Sequence, residues 1–220
     1  MNPRELLISG AQELGVPLTV EQVNTLFLYL TELRKWNRKI NLTAITDERD
    51  TIIKHVLDSL SYIKGFRPTP GQRLLDMGSG AGFPAVPIRI ACTDLMIMLV
   101  ESVKKKASFL RHIVRTLPLT GVEVKDQRTE ELDESFRGSY DVVTARAFAD
   151  MGSALAAGAP FLKPGGLVVL SRGPEERIAD EDLRITGVTV VTRIDLTLPH
   201  SDYGRAIWVF QKSPQPGAEP

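Results

Sequence analysis

The chain is poor in the residues from which metal centres and crosslinked scaffolds are built. Cys92 is the single cysteine among 220 residues, which excludes a disulfide framework and any cysteine-based zinc site. Only three histidines occur, His55, His112 and His200, too scattered to suggest a catalytic metal. No apolar run approaches the ~20 residues that cross a bilayer, and the start, MNPRELLISG, lacks the pattern of a secretory leader. A cytoplasmic protein without a membrane partner is therefore expected. Charge of one sign is also missing: 27 Lys plus Arg balance 27 Asp plus Glu. That balance argues against indiscriminate nucleic-acid binding, although a basic face opposed by an acidic one is compatible with it.

The most informative stretch that is present runs from Leu74 to Pro84, LLDMGSGAGFP. An apolar strand entering alternate glycines brings a backbone close to a nucleoside cofactor, because Gly78, Gly80 and Gly82 carry no side chain to hold the ligand off. A dinucleotide fingerprint needs a third glycine where Phe83 stands. The loop is instead G-x-G-x-G, which favours S-adenosylmethionine, a cofactor with no pyrophosphate to seat on a helix N-terminus. The continuous apolar run Leu95 to Val100 suits a strand buried on both faces and ends in Glu101, 25 positions after Asp76 (101 minus 76). A carboxylate there can accept both ribose hydroxyls. Alone, such a glycine loop can be only a tight turn; strand, loop, helix, strand and Glu101 in register point to the cofactor.

The rest of the chain divides in two. Residues 1 to about 70 read as a helical extension. Thr19 with Gln22 resembles a capping box, and Val23, Leu26, Phe27, Leu30 and Leu33 then mark one apolar face. A second helix follows Thr46 or Asp47, with Ile53, Val56, Leu57, Leu60 and Ile63 inward, and Pro68-Thr69-Pro70-Gly71 punctuates the end of the region. Residues 71–212 alternate strands and helices, which predicts a mostly parallel α/β sheet. Strands are expected near 73–77, 95–100, 122–126, 140–144 and 166–171, and helices near 84–92, 103–117 and 150–161. Gly187 to Ile194 and Ala206 to Gln211 read as a closing antiparallel pair, and residues 213–220 as a disordered tail.

Seven stretches, WNRKINLTAI (36–45), IIKHVLDSL (52–60), LLDMGSGAGFPAVPI (74–88), ESVKKKASFLR (101–111), RTEEL (128–132), DVVTARAFA (141–149) and LKPGG (162–166), carry a resemblance in order along most of the chain. They resemble the glucose-inhibited division protein B, or RsmG, family of bacterial small-subunit rRNA guanine-N7 methyltransferases. One departure is Ala85, where the family pattern has glycine after the proline. The resemblance implies a Rossmann-like class I methyltransferase fold with a seven-stranded sheet and an N-terminal helical extension. It implies that Gly78 and Phe83 line the methionine and ribose region of S-adenosylmethionine, that Glu101 holds the ribose, and that Thr129 and Glu130 sit beside the adenine. Arg146 would lie near the cofactor and the incoming base. Phe83 could equally be a plain core residue, and Glu130 with Glu131 a solvated turn. Arg146 is harder to dismiss, since an arginine just after an apolar strand lies at the carboxyl edge where open α/β sheets bind ligands.

Two chemistries lack their tools. Exocyclic-amine enzymes resemble one another in an (Asp/Asn)-Pro-Pro-(Tyr/Phe) loop after the fourth strand, where this chain has TARAFA. Cytosine-C5 transfer needs a nucleophilic cysteine, yet Cys92 falls at the first sheet helix and reads as a small core residue. Guanine N7 already presents an in-plane lone pair, so no general base is required and catalysis would be mainly alignment. Arg146 could orient the guanine or its phosphate through its planar fork.

Two basic clusters could contact RNA: Arg34, Lys35, Arg38 and Lys39, and Lys104, Lys105, Lys106, Arg111 and Arg115. Each is equally readable as a solvated helix face. His55 and Asp58, three apart on one helix face, either brace the cofactor loop or touch substrate. The resemblance implies 16S rRNA as partner, in its decoding region and within the 30S subunit or its precursor; a monomer is expected, as nothing suggests an obligate dimer. A small-molecule or protein methyltransferase, an NAD-dependent oxidoreductase, and a module that binds the cofactor without transfer are the competing readings.

Overall fold

The computed structural model describes residues 1–146 and 150–213. The last three residues of the TARAFA stretch and all but the first residue of the expected tail lie outside the described residues.

Local signals start the extension. Helix α1 (Pro3–Glu13) is capped by Asn2, whose side chain accepts from the Glu5 amide while the Glu5 carboxylate accepts from the Asn2 amide. Helix α2 (Val20–Asn37) opens on the expected Thr19–Gln22 box. Its inward face holds Val23, Leu26, Leu30 and Leu33, but Tyr29 is fully buried where Phe27 was expected and Phe27 is only half-buried. Asp47 caps the next helical run, which is not uniform: α3 (Glu48–Thr51) widens into a π-helix over Ile52–Leu57 and returns to α4 (Asp58–Ser61) before a 3₁₀ turn at Tyr62–Gly65. Such i→i+5 turns concentrate at functional sites. Here the wide turn carries His55.

The sheet follows the expected plan: β1 (Arg73–Met77), α5 (Ala85–Ala91), β2 (Met96–Val100), α6 (Lys104–Thr116), β3 (Val122–Lys125), β4 (Tyr140–Ala145), α7 (Met151–Gly158), β5 (Leu162–Arg172), α8 (Asp180–Thr186), β6 (Val188–Thr197) and β7 (Gly204–Lys212). Helix α8 was not foreseen: it holds no buried residue and so shows no apolar stripe. The strand order is β3-β2-β1-β4-β5-β7-β6, parallel from β3 to β5 and antiparallel at β7 and β6. This is the seven-stranded, mostly parallel sheet of a Rossmann-like class I methyltransferase fold.

Alternation along the buried strands divides the interior. Leu74, Ile97, Leu99 and Val142 face α5, α6 and the extension, in one core with Leu26, Val56, Leu57 and Leu60. Leu75, Met77, Met98, Val100 and Val143 face the opposite side, against Met151, Ala154 and Leu155 of α7. Each fully buried leucine contributes about 2 kcal/mol, so the extension is bound to the sheet by a shared apolar core. Because β1 pairs with β2 on one side and β4 on the other, the chain turns in opposite directions beyond their carboxyl ends, which is where such sheets open a ligand crevice.

Candidate cofactor and substrate site

The loop after β1 is tied down from three sides. Ser79 donates its amide to the Val100 carbonyl (2.9 Å), and Gly80 donates its amide to Glu101 Oε2 (2.8 Å). Tyr29 of α2 donates its hydroxyl to the Ala81 carbonyl, so the extension fixes the loop directly. Gly78, Gly80 and Gly82 all take positive φ (64°, 58° and 96°). Their spaces differ. A side chain on Gly82 would meet Val86 Cγ2 at 2.7 Å, whereas one on Gly80 would find only a backbone oxygen at 3.8 Å. Gly82 is therefore a packing glycine, and Gly80 leaves open space above the loop.

That space is a cavity of about 360 Å³ lined by Gly78, Gly80, Phe83, Glu101 and Arg146, together with Thr43, His55 and Lys106. It lies within the usual size range of small-ligand sites. Glu101 is buried, and its second oxygen accepts the Val103 amide (2.8 Å). Each carboxylate oxygen thus holds one amide and retains a lone pair for a ligand hydroxyl. Phe83 is both a core residue and a wall: it is buried against Tyr29 and stacks on His55 with ring centroids 4.5 Å apart.

His55, Asp58 and Arg146 form one cluster. Arg146 Nη2 donates to the Lys54 carbonyl (2.9 Å) and to His55 Nδ1 (2.7 Å), and its Nε lies 3.6 Å from Asp58 Oδ2. Because guanidinium only donates, Nδ1 is the unprotonated nitrogen, and the proton on His55 Nε2 is shared with Thr43 Oγ1 at 2.7 Å. Burial and the Arg146 charge push the His55 pKa down to about 3, so the ring is neutral. Asp58 is buried and also receives Arg205 Nε (2.9 Å) and Ser171 Oγ (3.3 Å) on Oδ1. Arg146 Nη1 is buried with no partner among the described residues, and Arg146 borders the cavity.

Beneath the loop, Asp76 is fully buried, accepting Thr144 Oγ1 at 2.9 Å on Oδ1 and leaving Oδ2 unpartnered. Burial is the main cause that raises its pKa to about 7. Asp126, just past β3, likewise keeps a buried, unpartnered Oδ1 while Oδ2 lies 3.4 Å from Arg111. The Glu101 carboxylate with a lone pair left on each oxygen, and Arg146 with an unpartnered nitrogen, beside an open glycine cradle, are the complement that a polar nucleoside with an amino-acid end requires. The residues present fit S-adenosylmethionine.

Thr129 and Glu130 occupy a 3₁₀ turn after β3, Thr129 buried and Glu130 exposed, and neither lines this cavity. Cys92 caps α5, half-buried, and burial pushes its thiol up to about 11, which removes thiolate chemistry at neutral pH. The two basic clusters meet. Trp36 of α2 packs on Phe109 and His112 of α6, and Glu32 joins Lys35 (2.6 Å) to His112 (2.8 Å) across the same seam. Among the described residues no helix is long and apolar enough to cross a membrane, and no group of side chains could hold a metal ion. Thr43, Tyr29, Asp126 and Arg205 went unnoticed in the sequence. Only Thr43 lay in a stretch singled out there.

Solved structures similar to this chain share its fold at low identity. They include the [4+2]-cyclase SpnF (TM-score 0.60, 17% identity, 89% of this chain and 97% of that chain). A geranyl diphosphate methyltransferase is another (TM-score 0.56, 13% identity, 70% of this chain and 76% of that chain). Among curated proteins, the ribosomal RNA small subunit methyltransferase G of Geobacter sp. strain M21 is 44% identical over 214 residues, covering 96% of this chain and 98% of its own length. That of Geobacter metallireducens is 40% identical over 211 residues, 94% and 95%. The family profile described as rRNA small subunit methyltransferase G matches residues 22–194, and the chain belongs to that family.

Proposed function

We propose that this protein methylates N7 of a guanine in 16S rRNA, in the decoding region, and acts as a cytoplasmic monomer on the 30S subunit or its precursor. One observation supports the atom chosen: among the described residues the cavity offers alignment groups, and its one imidazole is not available as a base. His55 has Nδ1 occupied by Arg146 and Nε2 committed to Thr43, and the lone pairs that Glu101 keeps beside its two amides are assigned to the ribose hydroxyls. A nucleophile that must lose a proton would find neither imidazole nitrogen of His55 free to take it, whereas guanine N7 has a lone pair ready.

S-adenosylmethionine supplies an electrophilic methyl on a sulfonium. Attack by the N7 lone pair on that methyl would leave the carbon–sulfur pair on sulfur and pass the positive charge to the guanine ring. Glu101 would hold the ribose hydroxyls, Gly78 and Phe83 would bound the methionine arm, and Asp126 Oδ1 with the Thr129–Glu130 turn, beyond the cavity's own lining, would take the adenine end. Arg146 presents Nη1 to the guanine O6 or its phosphate, its other nitrogens being fixed. Holding nucleophile and methyl in line supplies roughly 7–11 kcal/mol of barrier reduction in well-oriented systems. Lys106, at the cavity, leads onto the basic seam of α2 and α6, where Arg34, Lys35, Arg38, Lys39, Lys104, Lys105 and Arg111 contact RNA phosphates.

The test is transfer of labelled methyl to unmodified 16S rRNA and to 30S subunits, followed by borohydride and aniline cleavage at N7-methylguanine. A single cleavage site is expected. Label in RNA without strand cleavage would mean that another atom is methylated.

A further inference from the structure

The segment between Leu42 and Ile45 has a cavity on each side. One is the cofactor cavity; the other, also about 360 Å³, is walled by Leu30 and Leu33 of α2 and by Ile45, with Arg34, Arg38 and Asn37 along it. Thr43 borders both. The partition is rigid, because Asn37 Oδ1 accepts the amides of Leu42 (2.8 Å) and Thr43 (3.0 Å) while its Nδ2 donates to the Thr43 carbonyl (2.9 Å). One Nδ2 proton is left over.

We propose that this second cavity receives an unstacked base of the same RNA strand that delivers the target guanine, so that the strand is gripped on both sides of Thr43. The proposal rests on the reading of the chain as an RNA methyltransferase. Its walls are aliphatic, suited to the faces of a planar base, and its polar edge offers both senses of hydrogen bond: Arg34 pairs with Glu48 at 2.9 Å, which leaves further guanidinium protons and the spare Asn37 proton for base carbonyls and ring nitrogens, and the Glu48 carboxylate for exocyclic amines. Arg38 lines it and Lys39 follows in the chain, neither making an ion pair among the described residues, which complements a phosphodiester chain. Sequence-selective RNA readers commonly take up unstacked bases in this way. A partner protein would have to be acidic to fit the same cations, and the experiment separates the two.

Thr46 is exposed and lines the cavity without touching the cofactor side, so a large side chain there fills it without disturbing the core. Steady-state methylation of 30S subunits by Thr46→Trp is expected to show KM for the particle raised about tenfold, in line with the energy of one buried base, with unchanged kcat and cofactor affinity. A benzophenone amino acid at position 46 is expected to crosslink to 16S rRNA within a few nucleotides of the methylated guanine. An unchanged KM overturns the proposal, as does a crosslink to ribosomal protein or to distant RNA. A fall in cofactor affinity also overturns it, since the substitution would then be acting through the Thr43 partition. If the unaltered protein methylates no RNA, the parent reading fails with it; if it methylates RNA and Thr46→Trp behaves identically, only the second cavity is lost.

Discussion

Arg146 and His55 hold each other in one state. The 2.7 Å bond from Arg146 Nη2 to His55 Nδ1 is possible only while the imidazole is neutral, and the same guanidinium charge keeps it so. The fork is thereby spent on Lys54, His55 and Asp58, with Nη1 buried and without a partner among the described residues. Lysine cannot reproduce that division of labour, having one nitrogen where Nη2 and Nε are both engaged and Nη1 is held in reserve. Arg146→Lys is expected to lower kcat/KM for RNA methylation by roughly 10- to 100-fold, the worth of one hydrogen bond to a charged group. Unchanged turnover and cofactor affinity in that variant would sink the orienting role.

Glu101→Gln tests the cofactor cradle. The amide would place a donor against either the Gly80 or the Val103 N–H, both of which now donate to the carboxylate at 2.8 Å. Loss of one charge-assisted bond and the ribose acceptor together should weaken S-adenosylmethionine binding by at least about tenfold. Isothermal titration at neutral pH measures it; equal affinity would show that Glu101 only braces the loop.

How much of this was readable in advance follows from distance along the chain. Glu101 was legible because strand, loop and strand are contiguous and the carboxyl edge is a fixed place in a parallel sheet. Tyr29 was not, since its partner Ala81 lies 52 residues away and nothing in the apolar pattern of α2 distinguishes it from Phe27. Arg205 meets Asp58 across 147 residues, in an antiparallel strand whose register no local signal sets. The spacing of His55 and Asp58 was visible, but not the π-turn beside Asp58, because hydrogen-bond register within a helix has no compositional signature. Asp126 was hidden by its surroundings, an ordinary polar turn.

Asp76 gives a pH dependence with a definite sign. Its carboxyl ionises near 3.8 when unfolded and at about 7 when buried. The folded state therefore holds more protons between these values, and stability falls as pH rises from about 4 to 7. Asp76→Asn does not titrate, so relative to the unaltered protein it should gain about 2–3 kcal/mol between pH 5 and pH 8. Urea unfolding at the two pH values measures the difference, and parallel curves would contradict the burial argument. His55, at about 3, should add no inflection near 6.5 to the activity profile.

Asp58 is the anchor of two arginines, and removing it leaves both partly buried guanidinium groups without their counter-charge. Asp58→Ala is expected to cost about 3 kcal/mol in equilibrium unfolding. Asp58→Asn keeps the shape and should recover part of that loss while still lowering kcat, because Arg146 would be less firmly aimed. If both variants lose stability and activity in the same proportion, Asp58 supports the fold alone.

The basic seam is testable through salt. Lys35 and Arg111 already pair with Glu32 and Asp126, so their removal also breaks contacts inside the protein. Lys39, just after α2, and Lys105 of α6 form no ion pair among the described residues, which makes them the cleaner probes. If both helices lie against the phosphate backbone, Lys39→Ala and Lys105→Ala should each reduce the slope of log affinity against log salt by about 0.7–0.9, and the double variant by the sum. Saturating kcat should hold, since such contacts position the RNA without reading it. A slope that responds to only one of the two would confine the RNA to that helix, and a slope that responds to neither would make the seam an ordinary solvated face.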